Sequence, residues 1–329
     1  MKKGLCAALA LVLCLGLLAC QSSGGDKPQY GLVLQPEGNA YQEKLREGFV
    51  SGIEALGGGV ITCYPEDSSA QAQVALVEDL IEQGVRGIAI SGSEVTGLED
   101  VLEDARDAGI SVISLDRDTE GSQLFVHQAE PGAVAQALMD AVFDIAGGEG
   151  EFAVLSTNMF SGSDAWVSAM KHIWNTDAKY ANLVWVDTRY CSGERAAEKV
   201  EELLDAHPGL KVICSPSSEG IISACQVVQA RSSSVKVTGL NTPSGMQSFV
   251  GDDKPCPYYF LWNPVELGNC AAYALEALCA GAVLEEGGTL TTGLGTYEIF
   301  NGDPARFLIH MGPPFKFDSG NTAQWAEVY

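Results

Sequence analysis

The chain is short of positive charge. It carries 19 lysines and arginines against 43 aspartates and glutamates, for a formal net charge of −24. No basic stripe is available to neutralise phosphates, which excludes nucleic acid and anionic lipid heads as partners. The acidic excess reads as a solubilising surface and says nothing about ligand charge. Histidine is equally scarce. His127, His172, His207 and His310 lie far apart, and each reads as a surface or hinge residue rather than a metal ligand or base. The sequence has no G-x-S-x-G elbow, no G-x-x-x-x-G-K-[ST] phosphate loop and no H-E-x-x-H. Gly147-Gly148-Glu149-Gly150 precedes a strand pattern instead of linking strand to helix, so it is no dinucleotide loop. No two cysteines have the C-x-x-C spacing of a redox or zinc site. No short repeat marks a solenoid. These absences leave no expected metal, no expected cofactor and no enzyme signature.

What is present begins at the N-terminus. Lys2 and Lys3 precede residues 4–19, which are apolar and uncharged. The run is too short for an ordinary membrane span and reads as a secretory signal. It ends in Leu17-Leu18-Ala19-Cys20, which resembles a bacterial lipobox. Residues 1–20 are therefore expected to be a lipoprotein signal with Cys20 as the lipidated residue. Residues 21–29, polar and rich in Gly and Ser, are expected to be a tether. That order implies a protein on the extracytoplasmic face of the cell membrane, touching it only through the lipid. The cysteines beyond the signal are Cys63, Cys191, Cys214, Cys225, Cys256, Cys270 and Cys279. They read as small buried thiols in preference to a disulfide framework.

The body alternates strand and helix patterns. Apolar runs at 30–34, 60–64, 87–90, 111–115 and 124–127 read as strands. Tyr41, Leu45, Phe49, Ile53 and Leu56 recur at helical spacing, and Gly57-Gly58-Gly59 closes that helix. Further helices are expected around 74–81 and 98–105. The alternation restarts with a helix at 131–146. Strands follow at 152–155, 183–186, 211–214, 235–239 and 258–261, with helices at 164–174, 194–206, 219–230 and 264–282. Such alternation predicts an α/β protein of two Rossmann-like three-layer α/β/α lobes with parallel sheets. The tail after Gly287 is Gly/Thr-rich and irregular.

Ligands of open parallel sheets bind beyond the carboxyl ends of the strands. The loops there carry Asn39 and Tyr41; Asp116 and Arg117; Asp164 and Trp166; Pro216 and Ser218; Asn241; and Trp262 and Asn263. Asp, Asn and Arg side chains can each hold one or two sugar hydroxyls, and aromatic faces accept the C–H faces of a sugar ring. The same loop composition also serves helix caps and turns, so spacing alone leaves both readings open.

Leu115-Asp116-Arg117, the Asn39-Ala40-Tyr41 opening and Gly239-Leu240-Asn241-Thr242-Pro243 resemble the type I periplasmic sugar-binding proteins of ABC importers, from about Tyr30 to the C-terminus. In the ribose-binding branch the Asp-Arg pair holds sugar hydroxyls. Leu261-Trp262-Asn263-Pro264, the Pro216–Ser218 segment and Gly312-Pro313-Pro314-Phe315 are similar to the rhamnose- and autoinducer-2-binding branch. There an acidic residue stands where this chain has Asn263. Gln42 stands where ribose binders have a second aromatic residue. The resemblance implies a hinge of three crossings, placed near His127, Leu261 and Leu284. One lobe would comprise 30–126 with 262–284, and the other 127–261 with 285–329. It further implies a monomer that closes on a small sugar and delivers it to an ABC permease. A ligand-sensing co-receptor is the alternative. A glycoside-processing enzyme using Asp116 and Asp164 is a more distant one.

Overall fold

The computed structural model describes residues 27–38, 40–94, 96–156, 161–190, 195–301 and 306–329. The chain opens as β1 (Gln29–Val33), α1 (Ala40–Ala55), β2 (Gly59–Cys63), α2 (Ala70–Glu82), β3 (Gly87–Ile90), α3 (Glu99–Asp107), β4 (Ser111–Leu115) and β5 (Leu124–His127). It continues as α4 (Pro131–Ala146), β6 (Gly150–Ser156), α5 (Ser161–Thr176), β7 (Leu183–Tyr190), α6 (Ala196–Ala206), β8 (Leu210–Ser215), α7 (Ser218–Ala230), β9 (Lys236–Gly239) and α8 (Pro243–Met246). It ends as β10 (Tyr258–Leu261), α9 (Pro264–Cys279), β11 (Thr289–Thr291), β12 (Thr296–Asn301), β13 (Phe307–His310), β14 (Phe315–Asp318) and α10 (Thr322–Trp325). None of the described helices is long and apolar enough to cross a membrane.

The first lobe is built on an eight-stranded sheet of order β11-β12-β13-β5-β4-β3-β1-β2. Strands β1 to β5 and β13 run parallel, while β11 and β12 are antiparallel additions at one edge. A parallel sheet covered on both faces needs apolar residues on both, and β1 supplies them. Leu32, with Leu34 just past the strand, packs with Phe49 and Ile53 of α1, and Val33 packs on the opposite face with Val77 and Leu80 of α2. Helix α9 returns from the far half of the sequence to lie beside α1. Glycines set that contact. A Cβ on Gly48 would lie 2.0 Å from the Val265 carbonyl oxygen, and one on Gly268 would lie 2.0 Å from that of Leu45. Only residues without side chains let the two backbones come this close.

The second lobe repeats the plan. Its parallel sheet has the order β7-β6-β8-β9. The antiparallel pair β10-β14 extends it through a bridge between Leu240 and Phe260. Ser217 caps α7 with a hydroxyl that accepts the Gly220 N–H, as expected for a Ser before a helix. Among the described cysteines, Cys214, Cys225, Cys256 and Cys270 are buried free thiols. Burial pushes the Cys214 thiol up to about 12.

Three crossings join the lobes: between β5 and α4, between β10 and α9, and between β13 and β14. The third therefore falls after His310, not near Leu284. Residues 285–301, expected in the second lobe, run instead along the edge of the first sheet as β11 and β12. The sequence masks them for a physical reason. β12, second from the edge, alternates Tyr297 and Ile299 inward with exposed Thr296, Glu298 and Phe300 outward, and the edge strand β11 is Thr-Leu-Thr. Neither forms the continuous apolar run that marks a buried strand.

Two of the scarce histidines meet at this hinge. His127 and His310 are paired in register on β5 and β13, with ring centroids 5.5 Å apart. Burial, followed by the neighbouring His310, lowers the pKa of His127 to about 4. The unfolded chain binds that proton near pH 6.5, so acid favours unfolding. This contribution is intact above pH 6.5 and is lost as the pH falls through 4. Roughly 3 kcal/mol of stability should disappear between pH 7 and 4. A His127→Gln variant should show a correspondingly flatter dependence in urea melts. Equal slopes for the two proteins would contradict it.

Candidate ligand-binding site

Asp116 ends β4 in a conformation seldom adopted by residues other than glycine, with φ of 62°. The Arg117 N–H donates to the Leu115 carbonyl across 2.6 Å, closing a three-residue turn around it. This turn lifts the Asp116 carboxylate off the strand axis toward the start of α1. Tyr41 donates its hydroxyl to Asp116 Oδ1 at 2.7 Å, and Gln42 donates Nε2–H to Oδ2 at 3.1 Å. Burial raises the Asp116 pKa, while Tyr41, Arg117 and Gln42 pull it back. Tyr41 itself is pushed well above the usual phenol range, first by burial and then by the Asp116 charge.

The aromatic residues extend this cluster to the other lobe. Trp262, at the second crossing, donates its indole N–H to the Tyr41 hydroxyl at 2.5 Å. The Tyr41 and Trp262 rings meet edge to face, 6.4 Å apart at 89°. Trp166 of α5 lies 5.8 Å from Trp262 at 50°. A continuous line thus runs from Trp166 in the second lobe through Trp262 and Tyr41 to Asp116 in the first.

Arg117 is aimed by a buried amide network. Its guanidinium donates to Gln35 Oε1 at 3.1 Å and to the Ser93 carbonyl at 3.2 Å. Gln35 Nε2 in turn donates to the Ser91 carbonyl at 2.7 Å. Gln73, fully buried on α2, donates to the Leu34 and Ser91 carbonyls and accepts the Ser93 N–H. Desolvation lowers the Arg117 pKa, opposed by Asp116.

Of the residues expected from sequence, Tyr41, Asp116, Trp166 and Trp262 form one contiguous group, with Arg117 beside it. Asn241, Pro216 and Ser218 form a second group at the strand ends of the other lobe. Asn241 is buried, accepts the Thr242 N–H on Oδ1 at 2.7 Å and reaches the Ser218 carbonyl through Nδ2 at 3.5 Å. Its backbone N–H bonds to Phe260, two residues before Trp262. Pro216 is buried and Ser218 exposed. Asn263 Oδ1 caps α9, accepting from Val265 N at 3.0 Å and Glu266 N at 3.3 Å. That oxygen is committed to the helix. Asn39, the Asp164 side chain and Cys20 fall outside the described residues. Gln42, Gln35 and Gln73 were not anticipated as site residues. Gln73 leaves a trace in the sequence, standing four and seven residues before the buried Val77 and Leu80 on one face of α2. A groove of about 710 Å³ lies elsewhere, beside the hinge, lined by Glu130, Tyr297, Phe300, His310 and Pro313 among others. It holds none of the expected site residues.

Two α/β/α lobes with parallel sheets, three crossings and polar strand-end loops define the type I periplasmic-binding-protein class. The chain belongs to the periplasmic binding protein domain family, whose model matches residues 30–282. It is 38% identical to an ABC transporter solute-binding protein from Clostridium phytofermentas solved with bound L-rhamnose, over 92% of this chain and 99% of that one, with a TM-score of 0.82. The ribose import binding protein of Bacillus subtilis is 22% identical over 297 residues, 87% of this chain and 96% of that protein. LsrB from Clostridium saccharobutylicum, in complex with AI-2, shares the fold at 21% identity and a TM-score of 0.78, over 90% and 99% of the two chains. The first two of these relatives are binding proteins.

Proposed function

We propose that this protein captures a small sugar between its lobes, holds it without chemical change and passes it to an ABC permease. The observation that carries the reading is the Asp116 turn. A buried carboxylate stands at the end of a parallel strand, flanked by Arg117 and linked through Tyr41 and Trp262 to the second lobe. Ordered carboxylate and guanidinium groups shielded from water bind hydroxyls strongly and reject epimers, because an unmatched buried partner costs about 1–3 kcal/mol. Closure about the three crossings would bury the guest and bring Trp166 and Trp262 against it. L-rhamnose leads the candidates, on the likeness to the rhamnose-bound protein. The N-terminal pattern supports delivery from the extracytoplasmic face of the cell membrane, with Cys20 carrying lipid.

One set of measurements on the expressed protein checks this reading. L-rhamnose at a hundred times its dissociation constant should stabilise the fold by about 2.7 kcal/mol. The gain would appear as a higher melting midpoint, and the sugar should be recovered intact. Ribose, xylose and other aldoses should give smaller shifts. A midpoint unmoved by any aldose would reject sugar capture, and released product would reject a pure binder. Detergent-phase partitioning of the wild type, lost in Cys20→Ser, checks the anchor.

A further inference from the structure

The Asp116 turn is held from behind by a residue 190 positions further along the chain. Arg306, just before β13, forks onto Asp118. Nη1 donates to Oδ1 at 2.7 Å and Nη2 to Oδ2 at 2.5 Å. Nη1 also donates to the Thr119 carbonyl at 3.1 Å. Asp118 Oδ1 accepts the Ser114 hydroxyl at 3.1 Å, and the Ser114 and Ser122 oxygens are 2.9 Å apart. From the other side, Gly92 N–H donates to the Arg117 carbonyl at 3.1 Å. A Cβ there would meet Thr119 Cβ at 2.8 Å and the Asp118 carbonyl at 2.9 Å. The ion pair is mostly shielded, with the Arg306 side chain 19% and that of Asp118 24% exposed.

We propose that Arg306 is a positioning residue for the ligand site, holding the Asp116 turn in its binding geometry through Asp118. A non-glycine residue at φ of 62° keeps that conformation only where its surroundings fix it. Backbone bonds from Asp116 N–H to the Val126 carbonyl and from Arg117 N–H to that of Leu115 hold the start of the turn, and the fork ties down its far side, where residues 117–119 leave the strand. The guanidinium fork fixes both the distance and the plane of the Asp118 carboxylate, two residues from Asp116. Arg306 also opens the strand that runs into the third crossing, so the same element carries a hinge segment and braces the turn. What the turn grips rests on the sugar-capture reading; that Arg306 braces it does not.

The test uses Arg306→Gln and Arg306→Lys in the full chain. Without ligand, amide exchange at Gly92 and Arg117 should be about ten-fold faster in the Gln variant, with β8 amides in the other lobe unchanged. The Lys variant, with one charged donor and no fork, should fall between it and the wild type. For a sugar that the wild type binds, calorimetry should show about ten-fold weaker affinity for Gln and an intermediate value for Lys, through lost preorganisation. Unchanged exchange at Gly92 and Arg117 would overturn the proposal. So would uniform acceleration across the protein, which marks a general stabilising role. If the wild type binds no sugar, the functional reading fails while the exchange data still decide the brace.

Discussion

Asp116→Ala is expected to weaken sugar capture by about a hundred-fold or more, since each charge-assisted hydrogen bond to a hydroxyl contributes roughly 1.5–3 kcal/mol. The substitution also removes the acceptor for the Tyr41 hydroxyl and for Gln42 Nε2. Asp116→Asn separates charge from backbone, because Asn tolerates a left-handed conformation where Ala does not. It should keep the turn yet lose most of the affinity, since its amide cannot accept from both Tyr41 and Gln42. Stability should move little or rise. Burial raises the Asp116 pKa, so the charged form costs the folded state free energy at neutral pH, and a neutral side chain escapes that cost. Calorimetric titration with L-rhamnose beside thermal melts checks both variants. Affinity within two-fold of wild type in both would remove Asp116 from the site.

The second large effect is expected far from any sugar. In Gly48→Ala the new methyl would stand 2.0 Å from the Val265 carbonyl oxygen. That neighbour is backbone of α9 and cannot rotate away, so α1 and α9 must separate. Overpacking of this kind costs about 1–3 kcal/mol when side chains can adjust, and backbone contact sets the expectation at the upper end. The melting midpoint should fall by about 6 °C or more. Affinity should fall with it, because α1 carries Tyr41 and Gln42 while Trp262 leads into α9. Separating these helices pulls Trp262 away from the Tyr41 hydroxyl. A midpoint within a degree of wild type would show that the contact is softer than its geometry indicates.

The alternation of buried strands and amphipathic helices was readable because parallel strands covered on both faces must be apolar throughout. Runs such as Tyr30–Leu34 and Ser111–Leu115 have no other simple reading. Residues that follow these strands are legible as well: Asp116 and Trp262 stand just past β4 and β10, and Tyr41 opens the helix after β1. The third crossing is not legible in the sequence, because β11 and β12, at and beside the sheet edge, lack the continuous apolar run of a buried strand. Gln35 and Gln73 give no such signal, because glutamine on a helix or in a loop is ordinarily solvated, and Gln42 stands out in the sequence only as a departure from an aromatic position. Asn263 shows the opposite ambiguity: Asn before a helix caps it whether or not it also touches a ligand, and its oxygen is used for the cap.

Periodicity and side-chain chemistry are local properties, so the α/β architecture, the acidic surface and the set of polar groups at strand ends are all written in the order of residues. Which of those groups meet is a matter of the folded chain. Trp262 reaches Tyr41 across 221 residues and Arg306 reaches Asp118 across 188, and no local pattern encodes a contact between segments that far apart. Those pairings follow from the order of strands in the sheets and from glycines that let α9 lie against α1. Both depend on the whole chain being folded at once.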